Sequence, residues 1–193
     1  HWHGDVRARF PLKDKTSLDV GCGAGLLVEP MARMGARATG VDAAPENIAA
    51  ARSHAEGQGL DIQYHAGELS SLPAQTFDLV TSMEVIEHVT DPAAFVRELA
   101  ARLAPDGLMI LSTPNRTALS KLLLVEAAER VGAVPRGTHD WNQFLTPEEL
   151  IALMEGAGLE IIDRIGLSPS LARGFKLGDD ETLNYFLSAR HKR

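Results

Sequence analysis

The chain has 193 residues and a formal net charge of −7, from 19 lysines and arginines against 26 aspartates and glutamates. At 45% hydrophobic and 23% charged it has the make-up of an ordinary globular domain, which excludes a disordered, collagen-like or coiled-coil chain. The acidic balance argues against a nucleic-acid partner, whose phosphates need a basic face.

At about 150 residues per domain, one domain over residues 1–193 is expected. The lone cysteine, Cys22, permits no disulfide within the chain, so no oxidising compartment is required. No stretch approaches the roughly 18 consecutive apolar residues of a membrane span. The expectation is a cytoplasmic enzyme. The first residues, His1-Trp2-His3-Gly4, show neither Met nor a leader pattern, so the chain is expected to start inside a longer sequence.

Short apolar runs alternate with helical stretches. Strands are expected at Thr16–Val20, Ala36–Val41, Ile62–His65, Phe77–Ser82 and Leu108–Ser112. Between them the sequence predicts helices over Leu26–Met34, Pro45–Ala55 and Ala93–Leu103, the second opened by a proline in its first turn. Pro105-Asp106-Gly107 is a turn signature. Strands alternating with helices imply a parallel sheet with helices on both faces, an α/β Rossmann-like architecture. Further on, Thr117–Val131 is expected to be helical, with apolar Leu119, Leu122, Leu123 and Val125. Such a helix serves either as a lid or as an interfacial membrane contact. Thr146 and Glu149 form a capping box at the start of a helix over Pro147–Ala157. Strands are expected at Leu159–Ile165 and Leu183–Ala189, with Gly166–Asp180 as a loop between them.

The clearest site signal is Asp19-Val20-Gly21-Cys22-Gly23-Ala24-Gly25, a strand running into a glycine loop and then a helix. Glycines there permit positive φ and close approach of a ligand to the backbone. The next strand ends in Asp42, about 20 positions on, where an acid is placed to bind a ribose diol. A dinucleotide loop wants glycine at the sixth position, where Leu26 stands; the Gly-x-Gly-x-Gly form is the one associated with S-adenosylmethionine. Asp19, Gly21 and Gly23 are therefore cofactor candidates, with Cys22 as a small filler. Glu68 and Leu69 follow the third strand, where the adenine would sit, although Glu68 alone also reads as a solvated loop acid. Met83 stands just after the fourth strand, facing the crevice where open α/β sheets bind ligands.

A second constellation is Met83-Glu84-Val85-Ile86-Glu87-His88-Val89. If a helix starts there, Glu84, Glu87 and His88 share one face. Two carboxylates and an imidazole can bind a divalent metal, Mg²⁺ or Mn²⁺. The alternatives are His88 as a general base and a purely structural hydrogen-bonded turn.

At these residues the chain resembles class I S-adenosylmethionine-dependent methyltransferases over nearly its whole length. Several further stretches narrow the resemblance: Ser112-Thr113-Pro114-Asn115-Arg116, Pro135-Arg136-Gly137-Thr138-His139-Asp140-Trp141, and Phe175-Lys176-Leu177-Gly178 with Asn184-Tyr185. With them it looks like the ubiquinone-biosynthesis O-methyltransferase family. The resemblance implies a seven-stranded, mostly parallel sheet with an antiparallel last strand. It also implies methylation of a phenolic hydroxyl on a polyprenylated catechol or demethylubiquinol. S-adenosylmethionine would be held at Gly21, Asp42 and Met83, and Mg²⁺ at Glu84, Glu87 and His88. Glu84 and His88 are then the catalytic candidates. Residues 117–146 form the expected substrate-side insertion, with His139 and Trp141 at the entrance; Trp141 equally reads as core packing. A membrane-dwelling substrate raises the expectation of peripheral contact with the inner face of the membrane and with other enzymes of the pathway. One departure is that the family's Arg-bearing N-terminal segment has no counterpart in Gly4–Phe10. A mobile lid that orders over bound cofactor is the expectation there.

Composition and motifs also weigh against other classes. A dehydrogenase is disfavoured by Leu26, and a nucleic-acid methyltransferase by the acidic charge and the lack of an Asn-Pro-Pro-Tyr-like stretch after the fourth strand. A binding module without catalysis is disfavoured by the intact Glu84 cluster. Methyl transfer to a different small molecule stays open.

Overall fold

The computed structural model describes residues 8–121, 141–170 and 174–192. Their strands form one eight-stranded sheet in the order β3-β2-β1-β4-β5-β8-β6-β7. The strands are β1 (Thr16–Val20), β2 (Arg37–Asp42), β3 (Ile62–Ala66), β4 (Phe77–Met83), β5 (Leu103–Pro114), β6 (Leu159–Ser170), β7 (Gly174–Gly178) and β8 (Asn184–His191). The first five pair in parallel. β8 runs antiparallel to both β5 and β6, as the family resemblance implies.

The helices are α1 (Val28–Arg33), α2 (Pro45–Ala55), α3 (Pro92–Ala101), the short α4 (Ala118–Ser120) and α5 (Pro147–Gly156). In α1, Met31 packs with Leu12 and Leu79 on one face of the sheet, and Ile48 and Ala51 of α2 pack with Ala38 and Tyr64 on the same side. The other face carries the larger core, where Val96 and Leu99 of α3 and Leu150 and Met154 of α5 meet Leu18, Val80, Leu111 and Leu187. Sheet strands buried on both sides explain the near-continuous apolar runs. The box at α5 forms as expected: Glu149 N donates to Thr146 Oγ1 at 3.3 Å, and Thr146 N to Glu149 Oε2 at 2.8 Å.

Three expectations are corrected. The sheet has eight strands rather than seven, because the expected loop at Gly166–Asp180 instead holds the end of β6 and all of β7, an antiparallel hairpin pairing Leu167 with Leu177 and Pro169 with Phe175. Pro105-Asp106-Gly107 does not break β5. It is absorbed as a bulge, since β4 advances from Phe77 to Leu79 while β5 advances from Leu103 to Leu108. The helix expected at Leu26–Met34 shortens to Val28–Arg33. Of the expected helix Thr117–Val131, the described part is α4 at its start; residues 122–140, and the chain start at 1–7, lie outside the described residues. Among the described residues no helix is long and apolar enough to cross a membrane.

Candidate active site

At the carboxyl ends of β1 and β2 the glycine loop is built by backbone geometry that only glycine adopts cheaply. Gly21, Gly23 and Gly25 have φ of 75°, 52° and 84°. A Cβ on Gly21 would stand 2.3 Å from Val85 Cγ2, and one on Gly25 2.3 Å from the Tyr64 hydroxyl. Asp42 ties the loop to the next strand. Its Oδ2 accepts from Gly23 N at 2.8 Å, and its Oδ1 from Ala44 N at 2.9 Å and Asn47 Nδ2 at 3.0 Å.

A cavity of about 510 Å³ opens beside this loop, lined among others by Gly21, Asp42, Glu68, Leu69, Val85 and His88. The structure thus brings most of the expected cofactor residues to one space. Gly23, Asp19 and Met83 are not among its lining residues. Asp19 lies beneath the loop, buried, and accepts from Thr81 Oγ1 at 2.6 Å. Burial pushes its carboxyl up to about 7, and the charge of Asp42 adds to the shift. Burial likewise pushes the Cys22 thiol up to about 12, which fits a filler and not a nucleophile.

The Glu84–His88 stretch does not begin a helix. Glu84 adopts a left-handed φ of 56°, and only Ile86–His88 turns, as a single 3₁₀ turn. The shared helical face is therefore absent. Glu84 turns towards the sheet, where its Oε1 accepts from Ser112 Oγ at 2.5 Å and its Oε2 from Asn184 Nδ2 at 2.7 Å. Glu87 is buried, and Oε2 accepts from Thr113 Oγ1 at 2.9 Å. Among the described residues its Oε1 has no hydrogen-bond partner, and it lies 4.0 Å from His88 Nε2. Burial, with the charge of Glu84, pushes the Glu87 carboxyl up to about 7. Among the described residues no group of three His, Cys, Asp or Glu side chains converges as a ready-made metal site.

On the substrate side, Trp141 Nε1 donates to Thr117 O at 2.9 Å, and Lys121 Nζ sits 5.0 Å from the ring centroid. The indole thus fastens residue 141 to the start of α4. His139 lies outside the described residues.

Comparison with known proteins decides the family. A methyltransferase-domain family model matches residues 4–164. The ubiquinone biosynthesis O-methyltransferase of Methylocella silvestris is 47% identical over 98% of this chain and 75% of its own length. That of Methylobacterium sp. is 45% identical over 97% of this chain and 77% of its own length. The chain belongs to the ubiquinone biosynthesis O-methyltransferase family.

Solved structures agree on the fold. A magnesium protoporphyrin IX methyltransferase from Synechocystis, solved with bound SAH, has a TM-score of 0.71 at 21% identity, covering 94% of this chain and 76% of that one. An S-adenosylmethionine-dependent methyltransferase from Mesorhizobium loti has a TM-score of 0.68 at 20% identity, covering 93% and 92%.

For a member of this family, the residues that sequence reasoning missed are the partners of its acids: Ser112, Thr113 and Asn184. Each is a sheet residue whose role depends on strand register, Pro114 standing opposite Asn184 and Met83 opposite Ser112. The one available signal was their presence within the two family stretches Ser112–Arg116 and Asn184-Tyr185.

Proposed function

We propose that this protein transfers the methyl group of S-adenosylmethionine to a phenolic hydroxyl of a polyprenylated catechol or demethylubiquinol in ubiquinone biosynthesis. The observation that carries the reading is 47% identity to a ubiquinone biosynthesis O-methyltransferase across 98% of the chain. The cavity beside the glycine loop supports it.

In this reading Asp42 holds the ribose. A carboxylate has about four acceptor sites, and among the described residues Oδ2 accepts only the Gly23 N–H, so it can take a ribose hydroxyl without releasing the loop. Leu69 covers the adenine ring and Glu68 accepts from its amino group. The amino-acid part of the cofactor lies along the backbone of Gly21 and Gly23, with Met83 flanking it. Asp19, beneath the loop, acts through its hydrogen bond from Thr81 as a positioning residue.

The phenolic oxygen attacks the methyl carbon in line with the departing sulfur. The C–S bond breaks with its electron pair going to sulfur, which leaves S-adenosylhomocysteine. Alignment supplies much of the barrier lowering. Where no metal is bound, the phenolic proton goes to His88 Nε2, and Glu87, 4.0 Å away, balances the imidazolium.

The resemblance also implies Mg²⁺, and the donor set fits it in kind. The buried Glu87 Oε1, without a hydrogen-bond partner among the described residues, and the neighbouring Glu84 carboxylate are groups that a hard cation would satisfy. Glu84, Glu87 and His88 would hold the ion, which when bound lowers the pKa of a catechol hydroxyl. Peripheral membrane contact through residues 117–146 is part of the proposal, supported by the exposed Leu119 and by Leu122, Leu123 and Val125 in the sequence.

The test is transfer of labelled methyl from S-adenosylmethionine to a short-tailed prenyl catechol. Label recovered in the methoxy product is the expected result. Cofactor binding without transfer to any catechol sinks the reading and moves the substrate to another small molecule.

A further inference from the structure

We infer that one face of the β6–β7 hairpin is the binding track for the isoprenoid tail of the acceptor, with Phe175 and Leu177 as tail-length specificity residues. The inference rests on the catechol reading above.

It starts from register. Residues directly opposite one another in adjacent strands point to the same face, and so do alternate residues along one strand. Asn184 stands opposite Leu167, Leu167 opposite Leu177, and Pro169 opposite Phe175. Leu167, Pro169, Phe175 and Leu177 therefore share the face on which Asn184 reaches Glu84. None of the four carries a charge, while Lys176 and Ser168 point to the other face. Phe175 is 64% exposed and Leu177 59% exposed, so two large apolar side chains stand side by side in solvent. Their exposure has a cost unless something apolar covers them.

The strip is continuous with the candidate active site. Neighbouring strands lie about 4.8 Å apart, which places Leu177 roughly 10 Å across the sheet from Asn184. From there Phe175 lies two residues further along β7, about 7 Å away at strand rise. An acceptor whose ring sits at Glu84 would send a tail across Leu167 and Leu177 and then along to Phe175. That continuity selects the acceptor's own tail as the occupant over a second copy of the chain or a lipid surface. Exposure outside the core also makes these positions substitutable without unfolding the sheet.

The experiment compares detergent-solubilised catechols bearing no tail, one prenyl unit and a tail of several units. Wild type is set against Phe175→Ser, Leu177→Ser and the double variant. The readout is the ratio of kcat/KM for tailed over tailless acceptor. An apolar contact of this size discriminates by roughly tenfold or more. The double variant is expected to lose about tenfold in this ratio through KM, with its melting temperature held near wild type. An unchanged ratio overturns the inference even if the variants lose sedimentation with lipid vesicles or change oligomeric state, since the strip would then face a membrane or a second copy. Wild type that transfers to no catechol overturns the functional reading instead. Wild type active on catechols without any tail preference overturns the track alone.

Discussion

Asn184 Nδ2 donates to Glu84 Oε2 at 2.7 Å, joining the first residue of β8 to the residue that follows β4. Glu84 needs such a partner. Its left-handed φ of 56° is a conformation that costs a non-glycine residue on the order of 1–3 kcal/mol. Ser112 holds the other carboxylate oxygen at 2.5 Å, so the acid is aimed from two strands. Replacing Asn184 by Leu leaves Glu84 free to turn away while the half-exposed site keeps its packing. The expected result is a drop in kcat of roughly 10–100-fold, the usual consequence of losing a residue that orients a site ligand, with a melting temperature near wild type. Steady-state kinetics and a thermal melt on one preparation check it. A loss of activity that follows a loss of fold counts against the positioning role.

The glycine loop separates two costs. Gly23 has φ of 52° and open space where a Cβ would go, so Gly23→Ala bears only the left-handed penalty of about 1–2 kcal/mol. Gly21 adds a collision, with the new Cβ 2.3 Å from Val85 Cγ2, and overpacking of this kind costs about a further 1–3 kcal/mol. Thermal melts are expected to rank wild type above Gly23→Ala and Gly23→Ala above Gly21→Ala. The double variant Gly21→Ala with Val85→Ala relieves the collision but keeps the strain. If it melts no higher than Gly21→Ala, corrected for Val85→Ala alone, the collision is not the cause.

How far the sequence led depends on how local each feature is. The loop from Asp19 to Gly25 and Asp42 were legible because a tight turn and a strand end are local, and five parallel strands followed from the alternation of runs. The capping box of Thr146 and Glu149 was legible for the same reason. β7 was not, because Gly174 and Gly178 bracket a short strand whose Phe175 and Leu177 show no buried partner in sequence. The backbone at Glu84 was misread: three side chains at helical spacing imply a shared face only if the segment is helical, and φ of 56° at Glu84 breaks that premise. Glu84's partner on β8 lies a hundred residues away, beyond any local pattern.

Asp19 sets a pH dependence of stability. Its carboxyl titrates near 3.8 when unfolded and is pushed up to about 7 in the fold, chiefly by burial. Below about pH 4 both states hold the proton and the group is neutral to stability. Between pH 4 and 7 the unfolded chain releases a proton that the fold retains, so stability falls as pH rises, and above 7 the whole penalty is present. Asn at this position keeps an oxygen to accept from Thr81 but cannot ionise. The melting temperature of Asp19→Asn relative to wild type is expected to climb between pH 5 and pH 8, by the equivalent of a few kcal/mol. A difference that stays flat across that range shows that Asp19 is not buried as an acid.

The Mg²⁺ reading makes a prediction with two arms. Glu87 Oε1 is buried beside His88 without a hydrogen-bond partner among the described residues, and Glu84 adds its own negative charge. A divalent ion relieves both features, so transfer is expected to collapse on chelation and to recover with added Mg²⁺. The same ion, binding the folded chain alone, is expected to raise the melting temperature in proportion to the logarithm of its concentration. Glu84→Gln keeps an acceptor for Asn184 but removes the charge, and should lose most of both responses. Transfer indifferent to chelator, with no shift in melting, removes the ion from the site. It would leave His88, on the wall of the cavity, to take the phenolic proton in place of the ion. The pH profile would decide that outcome, since only a neutral imidazole can take the proton and activity should then fall as the solution is made acidic.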